Sequence, residues 1–175
     1  MAIYEFEGKK PRLEEGVYIH PSASVIGDVI IGKNCFVGPG AVLRGDFGGI
    51  RIGDGTCVQD NAVVHADPEF TASFGRGCHI AHGAVVHHSE IGDNVLIGIG
   101  AIILPQCRIG DDVLIAAGTL LTPNTRIPSG KMVMGRPGKV TRDLQPEMID
   151  FIKLGNLAYQ ELSGRYRSGL KLISP

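Results

Sequence analysis

The 175-residue sequence predicts a mainly β fold, a parallel β-helix of hexapeptide repeats followed by a C-terminal α-helix. Three observations carry that expectation. Ile, Leu or Val recurs every six residues over most of the chain. Glycine numbers 25, about twice its ordinary share, and tryptophan is absent, which fits many tight turns around a narrow core. Beyond residue 140 the rhythm gives way to an apolar stripe at helical spacing. We expect one domain, with residues 1–140 forming the solenoid and 141–175 a helical segment packed on it.

Stepping by six from Ile91 gives Ile91, Ile97, Ile103, Ile109, Ile115, Leu121, Ile127 and Val133. The same step upstream gives Ile19, Val25, Ile31, Val37 and Leu43, and two shorter runs hold Ile52, Val58, Val64 and Phe74, Ile80, Val86. An α-helix cannot use this period, because successive members rotate around its axis. In a triangular coil each hexad supplies one flat side and one corner, with the apolar residue pointing inward. Glycine often follows that residue (Gly32, Gly38, Gly53, Gly92, Gly98, Gly110), and we expect it to supply a special backbone angle at the corner. The fifth position is small, and Cys35, Cys78 and Cys107 fall there as expected core residues. No C-x-x-C pair occurs, so neither a disulfide framework nor a thiolate metal site is expected.

Pro146 suits the first turn of a helix, and Met148, Ile149, Phe151, Ile152 and Tyr159 offer an apolar stripe at helical spacing. A helix over 144–163, laid on a prism face, is expected. Seventeen basic and 18 acidic residues leave no basic stripe for nucleic acid. No apolar run approaches the roughly 18 residues of a membrane span. The start MAIYEFEGKKPRL lacks an apolar signal region, so a cytoplasmic location is expected.

Five of the six histidines lie between positions 65 and 88. The rhythm slips on either side of them, from Leu43 to Ile52, Val64 to Phe74 and Val86 to Ile91. With the extra residues looped out, Leu43, Val64 and Val86 are three hexads apart, so Arg44, His65 and His87 should stand in one column. Neighbouring strands are about 4.7–4.9 Å apart, which lets His65 and His87 share a ligand. Val58 lies three hexads before Ile80, which places Asp60 beneath His82, with Gln59 alongside, on another side of the triangle. A neighbouring prism related by a threefold axis would bring its His82 to the His65/His87 pair. The sequence therefore points to a homotrimer, and to a zinc site of three imidazoles with an open fourth position. Water there would ionise near neutral pH. His79 and His88 are expected to be structural, with His88 a lesser proton-relay candidate, and His20 a surface corner residue.

The segments RGD at 44–46, IRIGDGTCVQDNAVVH at 50–65 and AHGAVVHHSEIGD at 81–93 resemble the γ-class carbonic anhydrases and their relatives. The likeness runs from VYIHPSASVIGDVIIG to the final helix. It implies a left-handed β-helix and a trimer, with zinc or iron held by His65 and His87 of one subunit and His82 of the next. It also implies an ion pair of Arg44 and Asp46 that ties subunits together, and Gln59 hydrogen-bonded to metal-bound water. Asp60 would be an interface carboxylate, and Tyr159 would reach the site from the C-terminal helix. Two features depart from the family's pattern: the loop ADPEFTASFGRG has Glu69 as its one glutamate, and His88 stands where relatives have glycine. RGDFG and the chain's ending resemble the subgroup of phenylacetate and carnitine operons.

On this resemblance the expected activity is reversible hydration of carbon dioxide, a lyase reaction on a small-molecule substrate. Two alternatives are a metal-dependent acyl-CoA thioester hydrolase, with phosphates held by Lys131, Arg136 or Lys139, and an inactive metal-binding scaffold. The basic cluster itself reads more simply as a solvated coil. MGRPGKVTR further resembles the tail of hexapeptide transferases. These use a histidine base without metal and would leave the three-histidine column without a role.

Overall fold

The computed structural model describes residues 2–173; position 1 and positions 174–175 of the expected segments lie outside the described residues. The chain is a parallel β-solenoid of short strands with a single helix, α1 (Pro146–Gly169), at its C-terminal end. An eight-stranded sheet forms one prism face, and a twelve-stranded sheet bends round a corner to form the other two. The long strands Ser24–Ile31 and Val42–Ile52 make that bend. The hexad positions are the core: Val25, Val37, Leu43, Val64, Ile80, Val86, Ile97 and Ile103 are wholly buried. Cys35, Cys78 and Cys107 are buried among them, each donating its thiol hydrogen to a backbone carbonyl of another coil.

The hexad glycines have a different cause from the one expected. Gly53 and Gly98 do not take positive φ. A Cβ on Gly53 would lie 2.4 Å from the Gly75 carbonyl oxygen, and one on Gly98 2.5 Å from the Ala117 nitrogen. Close approach of the adjacent coil excludes a side chain there. The left-handed corner residues lie two or three positions further on, as at Asn34, Asn61 and Gly83, where glycine and asparagine are best tolerated.

The outward positions distinguish the three faces. One carries Tyr18, Phe36, Cys57, His79, Leu96, Leu114 and Met132 in register. Helix α1 covers it. Tyr159, Leu162 and Tyr166 pack on Tyr18 and Phe36, while Met148, Ile149 and Ile152 pack on Leu114 and Leu96. Burial of Ile152, at 1% exposure, contributes roughly 2 kcal/mol. Pro146 begins the helix, and the helix continues to Gly169 rather than stopping near 163. Gly164 does not end it, because Tyr166 still packs against Tyr18 and Arg167 donates to the Gly16 carbonyl. A second face carries Val42, Val63, Val85, Ile102 and Leu120 in register, and among the described residues no element lies over it. The third carries Arg51, Ser73, Glu90, Arg108 and Arg126. Among the described residues no helix is long and apolar enough to cross a membrane.

Candidate functional site

Two corners gather histidine and carboxylate. At the end of the bare apolar face, Arg44, His65 and His87 stand in strand register. The Gly45–Gly49 stretch of the long strand Val42–Ile52 meets the loop after His65. A Cβ on Gly48 would sit 2.2 Å from the Asp67 carbonyl oxygen and 2.4 Å from that of Phe70, so only glycine permits this contact. Asp46 thereby reaches His65 Nε2 at 2.9 Å with Oδ1, and Arg44 Nη1 at 2.6 Å with Oδ2. His65 Nδ1 lies 3.0 Å from His87 Nε2. Both ring nitrogens of His65 are thus occupied, and the remaining nitrogen of His87, Nδ1, is buried without a partner. Burial raises the Asp46 carboxyl, but hydrogen bonds from Arg44, His65 and the Phe47 amide outweigh it and hold the group below the usual carboxylate range. Burial lowers His87, outweighing the nearby Asp67 charge.

At the corner between the helix-covered face and the bare apolar face, His82 follows the strand His79–Ile80. Its Nδ1 lies 3.0 Å from Asp60 Oδ2, one coil below, and the side chain is about half exposed (45%). Among the described residues its Nε2 has no hydrogen-bond partner. It borders a cleft of about 440 Å³ lined by Gln59, Leu96, Ile99, Leu114 and Ala116. The corner continues as a backbone ladder: Gly83 N donates to Asp60 O, Gly100 N to His82 O and Gly118 N to Ile99 O. Arg136 closes it by donating to Gly118 O. Asp60, His82, Ile99, Ala117 and Arg136 therefore line one edge in sequence.

Gln59 is buried beside His82 and donates through Nε2 to Cys57 Sγ at 3.6 Å. Cys57 Sγ lies 3.3 Å from His79 Nδ1, and His79 Nε2 lies 2.9 Å from the Ile152 carbonyl oxygen in α1. Burial pushes the Cys57 thiol up to about 12 and lowers His79. Tyr159 packs on Phe36 and His79, so it belongs to this wall and not to the His65/His87 column. Burial raises its hydroxyl to about 12. Sequence reasoning missed the Cys57–His79 contact, although counting hexads registers Cys57 with His79 as it does Val58 with Ile80. It also missed Asp67, whose Oδ2 lies 2.9 Å from His88 Nδ1. Asp67 sits in an insertion, which hexad counting cannot place.

Residues 10–45 and 88–123 match the family Bacterial transferase hexapeptide (six repeats), and residues 28–66 the Hexapeptide repeat of succinyl-transferase. The carnitine operon protein CaiE of Proteus sp. is 36% identical over all of this chain and 89% of its own length. That of Escherichia coli O157:H7 is 32% identical with the same coverage. The chain belongs to the hexapeptide-repeat transferase family. Among solved structures, a hexapeptide transferase family protein from Anaplasma phagocytophilum is 34% identical at a TM-score of 0.90, covering 97% of this chain and 98% of that one. A Bacillus cereus protein provisionally named an acetyltransferase is 31% identical at 0.93, covering 95% and 97%.

Membership in this family corrects the expected chemistry. Carbon dioxide hydration by a zinc or iron lyase is replaced by the transferase character in these relatives' names. The donor set agrees with the correction. Within the described chain His65 contacts Asp46 and His87, and His82 stands beside Asp60 at another corner, so the three imidazoles do not meet inside one subunit. Among the described residues, no group of three or more His, Cys, Asp or Glu is placed to hold a metal ion. The hexapeptide scaffold stacks polar residues into columns whether or not they ligate.

Proposed function

We propose that the protein is an acyl-CoA-dependent acyltransferase with His82 as its general base. One observation carries this reading: His82 lines an apolar cleft, with Nδ1 3.0 Å from Asp60 and, among the described residues, no hydrogen-bond partner on Nε2. The Asp60 carboxylate, 3.0 Å from Nδ1, would favour the tautomer with its proton on that nitrogen, leaving the Nε2 lone pair to accept one. As an acceptor's amine or hydroxyl attacks the thioester carbonyl, Nε2 takes its proton and then returns it to the departing thiol. Positioned bases of this kind contribute about 10²–10⁴-fold. The corner edge suits an extended thioester. Ala117 stands two coils above His82, about 10 Å along the axis. Ile99 and Ala117 offer apolar contact to the pantetheine arm, and Arg136 a cation towards the phosphates. The names of the Anaplasma and Bacillus relatives support transfer as the reaction class.

We further infer a homotrimer closed through the bare face of Val42, Val63, Val85, Ile102 and Leu120, the occupant being a second copy of the chain. A wholly aliphatic outward column is costly to leave in water, and a threefold arrangement would place the His82 cleft between subunits. In this reading Arg44, Asp46, His65 and His87 organise the interface edge. Gln59 lines the acceptor's path, and Tyr159 supports it from α1. The likeness to the γ-class carbonic anhydrases is then one of scaffold and assembly. Buried, unpaired cysteines fit a reducing, cytoplasmic location.

The test is acetyl-CoA incubated with a panel of small amines and alcohols, following free CoA thiol and the mass of the acylated product. Wild type should yield both, His82→Ala neither above background, and Arg136→Ala an increased KM for acetyl-CoA. Unchanged transfer by His82→Ala would refute the assignment.

A further inference from the structure

Behind His82 runs a hydrogen-bond chain whose polarity has one consistent solution. The Ile152 carbonyl can only accept, so His79 Nε2, 2.9 Å away, must carry a proton. His79 is buried and its pKa is lowered by that burial, so the ring is neutral and Nδ1 is a lone pair. Cys57 must then donate its S–H to Nδ1. Having spent its hydrogen, Sγ can only accept from Gln59, which must turn its NH₂ towards the sulfur. The amide has two ends, and Oε1 is left as the end available to the cleft. A backbone carbonyl of α1 thus decides, through His79 and Cys57, which end of Gln59 is free beside His82.

We propose that this relay makes the site selective for a primary amine as acyl acceptor, an inference that rests on the acyltransferase reading above. The balanced step is RCO–S–CoA + R′NH₂ → RCO–NHR′ + CoA–SH. The amine nitrogen bonds to the carbonyl carbon, and the carbon–sulfur bond breaks. One N–H proton passes through His82 to the departing sulfur. A primary amine keeps a second N–H, which Gln59 Oε1 can accept. An alcohol has a single hydrogen, already directed at His82, and would leave Oε1 without a donor from the acceptor once substrates displace water from the cleft. A site built around such an acceptor rejects ligands that lack the donor. Cys57 and His79 are positioning residues here, since they act only through Gln59. The Cys57 thiol, held near 12 by burial, is not a nucleophile.

Two measurements test the relay. Long-range ¹H–¹⁵N correlation on the wild-type protein should show His79 as the neutral Nε2–H tautomer at pH 7; an Nδ1–H tautomer or a charged ring would overturn it without recourse to any variant. The second measurement compares kcat/KM for a primary amine and the alcohol of the same carbon skeleton, with acetyl-CoA as donor. Wild type should prefer the amine by about tenfold or more. Cys57→Ala should collapse that ratio, and Cys57→Ser, which keeps both a donor and an acceptor, should restore most of it. A ratio unchanged in Cys57→Ala, or a wild type that favours the alcohol, would overturn the inference while leaving acyl transfer standing. Failure to acylate any acceptor would remove the underlying reading together with it.

Discussion

The corner after Val64 and the corner after Ile80 are made of the same parts and reach opposite states. At the first, two imidazoles, a carboxylate and a guanidinium satisfy one another: Asp46 holds His65 and Arg44, and His65 holds His87. The nitrogen left over, His87 Nδ1, is buried. At the second, one imidazole and one carboxylate form a single contact, and the other nitrogen, on a residue that borders a cleft, has no hydrogen-bond partner among the described residues. A general base needs an orienting partner on one side and an unoccupied lone pair on the other. The histidine-rich corner fails the second requirement, and the corner with a single histidine meets both.

The largest expected effect breaks the open corner: His82→Ala should reduce acyl transfer by about 10²–10⁴-fold. His87→Gln, at the closed corner, should reduce it by less than about tenfold, because a glutamine can still hydrogen-bond His65. Equal losses in the two variants would erase the distinction between the corners. Next in size, Asp60→Asn should cost about tenfold or more in kcat with little change in KM for acetyl-CoA, since Asp60 orients the base and does not bind the thioester.

Smaller effects separate structure from chemistry. Asp46→Asn should lower stability by roughly 1–3 kcal/mol through the loss of charge-assisted hydrogen bonds, seen as a lower urea midpoint. Val85→Asp, on the bare face, should shift sedimentation at dilute protein from trimer towards monomer, while the circular dichroism of the solenoid is retained. The smallest is a pH dependence. His79 has a folded pKa below the ordinary imidazole value of about 6.5, so the unfolded chain binds more protons between the two values. Its contribution to stability is complete above about pH 6.5 and is lost as the pH falls towards the folded value. The urea midpoint should therefore be lower at pH 5 than at pH 8, and the difference should shrink in His79→Gln.

The solenoid was legible because its core obeys one rule at one spacing. Looping out the insertions placed Leu43 in register with Val64 and Asp60 under His82 from the sequence alone. Ligation was not legible, because register fixes Cα positions and leaves each ring free to choose its partner. Within the described chain His82 lies beside Asp60, a contact that register permits and does not by itself select. The contact between Gly48 and the loop at Asp67, which delivers Asp46 to His65, arises between two insertions, and no periodicity reports on insertions. The reason for the hexad glycines was also hidden, since close approach of the next coil is a property of stacking and not of the single hexad.

The most direct test of the account is acetyl transfer to a primary amine by wild-type protein stripped with a chelator, assayed with and without added zinc, beside His82→Ala. Acylated product at the same rate in both wild-type samples, and none from the variant, is the predicted result. Product that disappears on stripping and returns with zinc, or that survives the loss of His82, would contradict it.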